Sequence, residues 1–536
     1  MIADAPSLHA RRRAARLVAR LAPALLALLV VGSAPPAAAD AQQRSRARAT
    51  TQRRPARRAA APRPPAVVAT EPRSRDALAA DLGAMLARGT RSGTWGVMVL
   101  SLTRGDTLFA HNAGELLQPA STMKLVTSVL ALERLGPEHR FRTEVLRAGT
   151  LQGGTLQGDL VLRGAGDPAF SARFVTGGPD TPVELLAGMV VGAGIRRVTG
   201  SVVGDASAFE SRLVPAGWKE SYLHLAYAAP VSALSINENL AWITVAPGGG
   251  SGRAAHVTFE PATSGVPIVN SVRTTGGAGS SINVIRRPNG GFEVRGSIGA
   301  RAAPRRVQMV IPEPAPYATG ALREALGRAG VVVDGGVRLG PTPEGAQLVA
   351  SLPSPPLSRL LAVMNRESVN HYAELIFRNA ARVGGGVGSA ETGEAALRDF
   401  FVQKLDASSA ALVAADGSGL SLLDRVTPRA MTRMLAYAHA APWGGVFHAS
   451  LPVAGESELL RNRMRFTAAQ GNLHAKTGTT DDVIALAGYT TAENGEILAF
   501  TFLYNGTDRW NARVVIDAMG TTLSAFARET AAAEAP

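Results

Sequence analysis

Hydrophobic residues recur along this chain with two different periods, and these periods predict its first ordered elements. A helical period predicts a helix over 76–88. Strand-like runs over 95–101 and 106–110 predict a hairpin. The segment 121–135 is so strongly apolar that we expect a helix buried in the centre of a domain.

The pattern changes after about residue 141, where short β-type runs broken by glycines continue to about residue 356. This stretch is far too long to be a loop. We therefore predict inserted domain material that is mainly β, with one helix over 317–330.

Helical periodicity returns over 357–379 and 392–405. Three apolar runs then predict a meander of strands, and an amphipathic segment predicts a closing helix, over 473–477, 483–490, 497–504 and 511–528. Together with the early hairpin and helix, these elements predict one antiparallel sheet built from both chain ends and flanked by helices. The expected fold class is α+β.

The first residues follow the pattern of an export signal. Arginines between positions 11 and 20 precede the apolar run 21–31, and small residues continue to Ala41. We predict a signal peptide over 1–41 and a periplasmic, extracellular or cell-wall-associated protein. The apolar run is short for a membrane span, although an uncleaved anchor stays an alternative.

The net charge of +14 over 536 residues is concentrated near the N-terminus. Residues 1–75 hold 15 arginines against three carboxylates, whereas the other 461 residues carry 41 basic and 39 acidic side chains. Segment 42–75 predicts a disordered basic tether rich in Arg, Pro and Ala, either a solvated spacer or weakly attracted to anionic wall polymer or membrane surface. The nearly neutral remainder argues against nucleic-acid binding.

Cysteine is absent from the chain, which excludes a disulfide framework, a zinc-thiolate site and a cysteine nucleophile. No H-E-x-x-H motif occurs, so a metallopeptidase is disfavoured and we expect neither metal nor cofactor. A Ser-His-Asp hydrolase is also disfavoured, because the G-x-S-x-G elbow is missing.

Three short motifs suggest a serine nucleophile. Ser121-Thr122-Met123-Lys124 is an S-x-x-K at a predicted helix N-terminus, and its spacing places Ser121 and Lys124 on one helix face. Ser368-Val369-Asn370 follows in a helical region, and Lys476-Thr477-Gly478-Thr479 ends a predicted edge strand. In this order the motifs form the triplet of serine penicillin-recognising enzymes.

The use of lysine supports the same interpretation. The chain has only four lysines, at positions 124, 219, 404 and 476, against 52 arginines. Lysine can lose its proton in a protein, whereas arginine effectively cannot. A base at position 124 therefore has to be lysine.

From about Asp76 onward the chain resembles the low-molecular-mass class C penicillin-binding proteins, the D-alanyl-D-alanine carboxypeptidase/endopeptidase family. Besides the triplet, it is similar to that family in Gly166-Asp167-Pro168, in 227–234 with 237–239, and in 416–421. The 244 residues that separate Lys124 from Ser368 also resemble this family, which inserts two domains there.

The resemblance implies a role for each motif residue. Ser121 would be the nucleophile and Lys124 its general base. Ser368 would relay a proton to the leaving amine, and Asn370 would hold the peptide carbonyl of the substrate. The backbone N–H groups of Ser121 and Thr479 would form the oxyanion hole.

The third motif would bind the substrate. Lys476 would supply positive field, and Thr477 and Thr479 would bind the terminal carboxylate. Gly478 and Ser418 complete the substrate-binding positions that the resemblance implies. Peptidoglycan peptides would be the substrates, and β-lactam antibiotics would be covalent inhibitors.

The resemblance also implies an organisation of the chain. The catalytic part is a penicillin-binding transpeptidase-like, serine β-lactamase-like domain with two inserted, mainly β domains. The expected pieces are the signal peptide (1–41), the tether (42–75), the catalytic domain (76–143 and 357–530), inserted domain II (144–170 and 255–356) and inserted domain III (171–254).

The sequence departs from the family at two positions. Leu422 follows Ser421 where the family often has Arg, and Val369 stands where Asp is common. The sequence also leaves two other functions open: a β-lactamase-like hydrolase, against which the long insertion argues, and a non-catalytic cell-wall-binding protein.

Overall fold

The computed structural model describes residues 67–288 and 290–528. The predicted signal peptide (1–41) and the predicted tether up to residue 66 lie outside the described residues. Among the described residues, no helix has the length and apolar character needed to cross a membrane.

Ten α-helices form within the described residues: α1 Arg75–Gly89, α2 Met123–Leu135, α3 Thr181–Gly192, α4 Pro314–Arg328, α5 Leu357–Glu367, α6 Asn370–Ala381, α7 Ala390–Leu405, α8 Pro428–Ala440, α9 Gly444–Ala449 and α10 Arg509–Ala525.

Twenty strands form in the same part of the chain. They are β1 Thr94–Ser101, β2 Thr107–His111, β3 Arg142–Gln152, β4 Thr155–Gly164, β5 Arg197–Val198, β6 Val202–Asp205, β7 Leu240–Ala246, β8 His256–Glu260, β9 Ile268–Thr275, β10 Ser280–Arg286, β11 Phe292–Gly299, β12 Arg305–Val310, β13 Val332–Val333, β14 Val337–Leu339, β15 Gln347–Pro353, β16 Leu412–Val413, β17 Arg425–Val426, β18 His474–Thr479, β19 Val483–Thr491 and β20 Ile497–Asn505.

The two chain ends build one antiparallel sheet in the order β18-β19-β20-β1-β2, as the sequence predicted. Both faces of this sheet are covered. Val483 and Ala485 pack in the core that contains α2, whereas Ile484 and Leu486 pack in the core that contains α1 and α10. Since successive side chains point to opposite faces, this burial on both sides explains why the strand reads as a continuous apolar run.

The predicted helix over 357–379 is two helices. Ser368 adopts a left-handed conformation, with φ 59° and ψ 42°, and separates α5 from α6. The helical periodicity continues on both sides of this residue, so hydrophobic spacing alone could not reveal the break. The break places the second motif at the start of α6 rather than inside a helix.

The insertion contains a seven-stranded sheet in the order β13-β5-β4-β3-β15, with β6 paired to β4 and β14 paired to β6. Helices α3 and α4 share a hydrophobic core with this sheet. The helix expected over 317–330 corresponds to α4, while α3 was not predicted. Two three-stranded sheets, β10-β11-β9 and β12-β7-β8, surround a smaller apolar cluster.

These sheets cut across the division expected within the insertion. Strands β5 and β6, from the segment 171–254, lie in the same sheet as β3 and β4, from 142–164. Both three-stranded sheets come from residues 240–310. Grouping by sheet would therefore join 142–236 with 311–356 and leave 240–310 as the second unit.

Candidate active site

Ser121 lies in a single 3₁₀ turn, Ala120–Thr122, which leads directly into α2. Ala120 has a positive φ of 47°, a strained value for a residue with a side chain. The backbone next to this turn is very close, because a Cβ added to Gly419 would lie 1.8 Å from the Ala120 carbonyl oxygen. The turn that presents Ser121 is therefore held by tight backbone packing.

Lys124 occupies the first turn of α2 and is fully buried. Its Nζ lies 3.0 Å from Ser121 Oγ, 2.5 Å from Asn370 Oδ1 and 2.7 Å from the Ser418 carbonyl oxygen. The structure thus brings the first two sequence motifs into direct contact. The contact with the Ser418 carbonyl joins Lys124 to the segment 416–421, which the sequence marked only by its resemblance to the family.

Burial lowers the pKa of Lys124 from 10.5 to about 8, while the nearby carboxylates of Asp416, Glu374 and Asp424 partly oppose this shift. Desolvation disfavours the ammonium form, and negative neighbours favour it. A larger fraction of Lys124 than of an ordinary lysine is consequently neutral near physiological pH. A neutral amine has the free electron pair that a base needs.

The second and third motifs meet at another buried lysine. Lys476, on edge strand β18, is fully buried and donates to Ser368 Oγ at 3.0 Å and to the Thr477 carbonyl oxygen at 2.8 Å. Burial and the adjacent Lys124 both lower the pKa of Lys476 well below its ordinary value. Two neighbouring ammonium groups would repel each other, which favours the neutral form of Lys476. A substrate carboxylate bound beside Lys476 would raise its pKa again and favour the ammonium form.

Gly478 is required by a close approach between strand β18 and the turn Ala120–Thr122 that contains Ser121. A Cβ at this position would lie 2.7 Å from the Pro119 carbonyl oxygen and 3.2 Å from the Ala120 Cβ. Thr479 follows at the exposed end of the strand, and Thr477 is nearly buried. The third motif therefore runs alongside Ser121.

Ser418, one of the predicted substrate-binding residues, meets Lys124 through its backbone. Its side chain is fully buried, and its hydroxyl donates to Asp416 Oδ2 at 3.2 Å and accepts from the Leu420 N–H at 3.3 Å. Its backbone carbonyl instead accepts from Lys124 Nζ. The contact that Ser418 makes with Lys124 is therefore through its main chain.

Asp416 organises this segment. Its carboxylate accepts the backbone N–H groups of Ser418, Gly419 and Ser421 at 2.6 to 2.9 Å, and the indole N–H of Trp218 at 2.8 Å. The turn that presents the Ser418 carbonyl to Lys124 thus depends on one carboxylate. Asp416 lies in the segment 416–421 that resembles the family, but its role could not be predicted from the sequence.

Three further buried charges were missed. Glu374 accepts from Arg378 at 2.7 Å and from the Gly417 N–H at 3.1 Å, and Asp424 accepts the N–H groups of Ala415 and Asp416. Burial, with the neighbouring Asp416, raises the pKa of Glu374 to about 7 and that of Asp424 well above its ordinary value. Glu374 and Arg378 could have been recognised in the sequence, because both interrupt the apolar face of a helix predicted to pack in the core.

The insertion also reaches the site. The Tyr227 carbonyl accepts from Asn370 Nδ2 at 2.8 Å, and Trp218 donates to Asp416. Asn370 is therefore oriented from both sides, with its oxygen toward Lys124 and its nitrogen toward the insertion.

Histidine does not activate Ser121 among the described residues. His371 is buried, neither of its ring nitrogens has a hydrogen-bond partner in that part of the chain, and burial with Arg378 lowers its pKa to about 3. The hydrogen-bond partner of Ser121 Oγ is Lys124 Nζ instead.

Comparison with known proteins identifies the family. The model of the D-Ala-D-Ala carboxypeptidase 3 (S13) family matches residues 78–526. The chain belongs to this family. It is 36% identical over 469 residues to a D-alanyl-D-alanine carboxypeptidase of Actinomadura sp. (strain R39), covering 84% of this chain and 85% of the relative.

A second relative, D-alanyl-D-alanine carboxypeptidase DacB of Haemophilus influenzae, is 26% identical and covers 80% of this chain and 88% of its own length. The fold matches the crystal structure of penicillin binding protein 4 (dacB) from H. influenzae, with a TM-score of 0.69 and 24% identity over 82% of this chain and 97% of that one. The predicted family, the α+β penicillin-binding-protein fold and the serine-type D-Ala-D-Ala carboxypeptidase function are confirmed.

Proposed function

We propose that Ser121 is the nucleophile and Lys124 the base of a D-Ala-D-Ala carboxypeptidase that acts on peptidoglycan peptides. The supporting observation is the environment of Lys124 Nζ. A neutral amine has two N–H donors and one electron pair. The acceptors Asn370 Oδ1 and Ser418 O take the two donors, which leaves the electron pair for the hydroxyl proton of Ser121.

Acylation begins when Ser121 Oγ attacks the carbonyl carbon before the terminal D-Ala and its proton moves to Lys124 Nζ. The negative charge on the carbonyl oxygen would be stabilised by the N–H groups of Ser121 and Thr479, and the close approach of Gly478 to Pro119 and Ala120 supports this assignment. Losing one such donor typically costs about 3 kcal/mol of transition-state stabilisation.

Expulsion of D-Ala requires a proton on the leaving amine. Ser368 can relay it: its hydroxyl gives its proton to the amine and takes one from the ammonium form of Lys476, to which it is hydrogen-bonded. The adjacent Lys124, which holds the Ser121 proton, then restores the proton of Lys476. Thr477 and Thr479 would bind the terminal carboxylate of the substrate, and that carboxylate would favour the ammonium form of Lys476. Water then hydrolyses the acyl-enzyme and regenerates Ser121.

The same geometry supports acylation by β-lactams and cleavage of D-Ala-containing crosslinks. Because the substrates would lie in the cell wall, we place the enzyme in the periplasm or at the cell exterior. The arginine-rich N-terminal sequence and its apolar run 21–31 support export. The basic residues before residue 75 would add weak attraction to anionic wall polymer or membrane surface.

The test is the intact mass of the purified protein during exposure to benzylpenicillin, followed by peptide mapping and an assay of D-Ala release from a D-Ala-D-Ala peptide. We expect a long-lived adduct on Ser121 and release of D-Ala. Ser121→Ala should lose both, whereas Ser92→Ala, at an exposed serine, should retain both. Rapid penicillin loss without an adduct would indicate a β-lactamase, and an intact drug with no adduct would indicate a non-catalytic wall-binding protein.

A further inference from the structure

A large polar groove lies at the end of α2 opposite to Ser121. Its volume is about 860 Å³, and it is lined where the catalytic part passes into the insertion, by the ends of α2, α6, β4 and β6 and the start of β3. Lys124 is in the first turn of α2, and Arg134 is in the last turn. Ten residues at 1.5 Å each place the groove about 15 Å along the helix axis from the catalytic lysine.

Arginine dominates the lining of this groove. Five guanidinium groups face two carboxylates, and the arginines are Arg134, Arg140, Arg142, Arg163 and Arg382. We call this feature the arginine groove. Residues 76–536 carry 41 basic and 39 acidic side chains and are together almost neutral. The excess of positive charge in the groove is therefore local.

Both carboxylates of the groove already have partners. Glu144 is paired with Arg163 at 2.5 Å. Asp205 accepts the N–H groups of Ser207 at 2.9 Å and Thr342 at 2.8 Å. Neither carboxylate neutralises the remaining arginines.

The other four arginines have no carboxylate within ion-pair distance among residues 67–288 and 290–528. Arg140 donates to the Ser354 carbonyl at 2.8 Å, and Arg382 donates to the Gly386 carbonyl at 3.2 Å. These bonds to neutral carbonyls orient the guanidinium groups and leave their charge uncompensated. Arg134 and Arg142 are exposed.

We propose that the arginine groove binds carboxylate groups of a peptidoglycan strand outside the catalytic cleft. The proposal rests on the proposed function, because the substrate polymer then supplies the ligand. Guanidinium groups pair with carboxylates through two parallel hydrogen bonds. One exposed pair contributes little, but a polymer that occupies the cleft and the groove together gains from the raised effective concentration of the second contact.

The test compares a polymer with a small substrate. Arg134→Glu/Arg142→Glu should lower co-sedimentation with purified peptidoglycan sacculi, free of phosphate polymers, by about tenfold or more at low salt, and added salt should weaken wild-type binding. D-Ala release from a soluble D-Ala-D-Ala peptide should stay unchanged. The matched control is Arg253→Glu/Arg301→Glu, which makes the same charge change at two exposed arginines outside the groove and should bind like wild type.

Equal losses of binding in both double variants would overturn the proposal, since a general charge effect would explain them. When the carboxylates of the sacculi are blocked by amidation, wild type and the groove variant should bind them equally weakly. If wild type binds amidated sacculi as well as untreated ones, the proposal is also overturned. If the reversed charges prevent folding, Arg134→Gln/Arg142→Gln gives the same comparison. Failure of wild type to release D-Ala from the soluble peptide would instead contradict the proposed function.

Discussion

The surroundings of Ser121 bury more ionisable side chains than the whole insertion does. Around Ser121, six ionisable side chains are no more than 1% exposed: Lys124, Glu374, Arg378, Asp416, Asp424 and Lys476. In the insertion, the buried charged side chains among the described residues are Asp167 and Asp205. Of the five groove arginines, Arg142 and Arg163 lie on strands β3 and β4 of the insertion; the other three belong to the catalytic part, and all five are exposed or partly exposed at the boundary between the two parts.

The number of buried ionisable groups near Ser121 is related to the chemistry proposed there. Burying a charge is costly unless it is paired, and it shifts the pKa toward the neutral form. The base role proposed for Lys124 needs that shift, and the catalytic part buries both lysines near the carboxyl groups of Glu374, Asp416 and Asp424. A surface that attracts a polymer needs charged groups in water, where no such cost arises.

The largest effect that tests this comparison is expected for Lys124→Arg. The substitution keeps the positive charge but removes the base, because a guanidinium does not lose its proton. We expect acylation by benzylpenicillin to fall by about 10²- to 10⁴-fold, the usual contribution of a positioned base. Lys404→Arg, at an exposed lysine paired with Glu133, should acylate like wild type; a Lys124→Arg enzyme that stays active would refute the base assignment.

Gly478→Ala tests the close approach between strand β18 and the turn Ala120–Thr122. The new methyl group would meet the Pro119 carbonyl oxygen at 2.7 Å, and this backbone atom cannot move aside without moving Ser121. Displacing reacting groups by about 1 Å can cost roughly 10²-fold in rate. We expect a loss of that order in the acylation rate constant, measured by stopped flow, and an unchanged rate would remove Gly478 from the oxyanion-hole argument.

Asp416→Asn should lower both the stability and the acylation rate. The amide would present an N–H₂ group to donors that the carboxylate accepts, at a cost of about 1–3 kcal/mol. Because the Asp416 charge raises the pKa of Lys124, its removal should move the rising limb of the acylation pH profile, at about pH 8 in wild type, to lower pH.

The control for this prediction is Asp399→Asn, at an exposed aspartate on α7. It should leave both the pH profile and the urea midpoint unchanged. A lower stability of Asp416→Asn with an unmoved pH limb would show a purely structural role for Asp416.

The smallest effect is expected in the insertion. Gly188 lies exposed inside α3, and a Cβ at this position meets nothing within 4 Å. Gly188→Ala should stabilise the protein by up to about 1 kcal/mol, through a lower conformational entropy of the unfolded chain. Urea unfolding measures this gain, and the acylation rate should stay that of wild type.

Hydrophobic spacing determined much of the fold. The sheet from both chain ends, the buried helix after Ser121 and the closing helix all follow from apolar periods, since each element must bury one face or both. Hydrophobic spacing did not predict helix α3. It also did not predict the break at Ser368, because a single left-handed residue leaves the period on either side intact.

The sequence by itself determined the chemistry of the site: a serine, a lysine three positions later, and two further motifs in the right order. Only the tertiary structure decided how they are used. The buried carboxyl groups of Glu374, Asp416 and Asp424 lie 250 to 300 residues after Lys124 in the chain, and their effect on Lys124 depends on burial and distance. Spacing along a sequence defines neither of these, because desolvation and Coulomb interactions arise only when distant segments pack together.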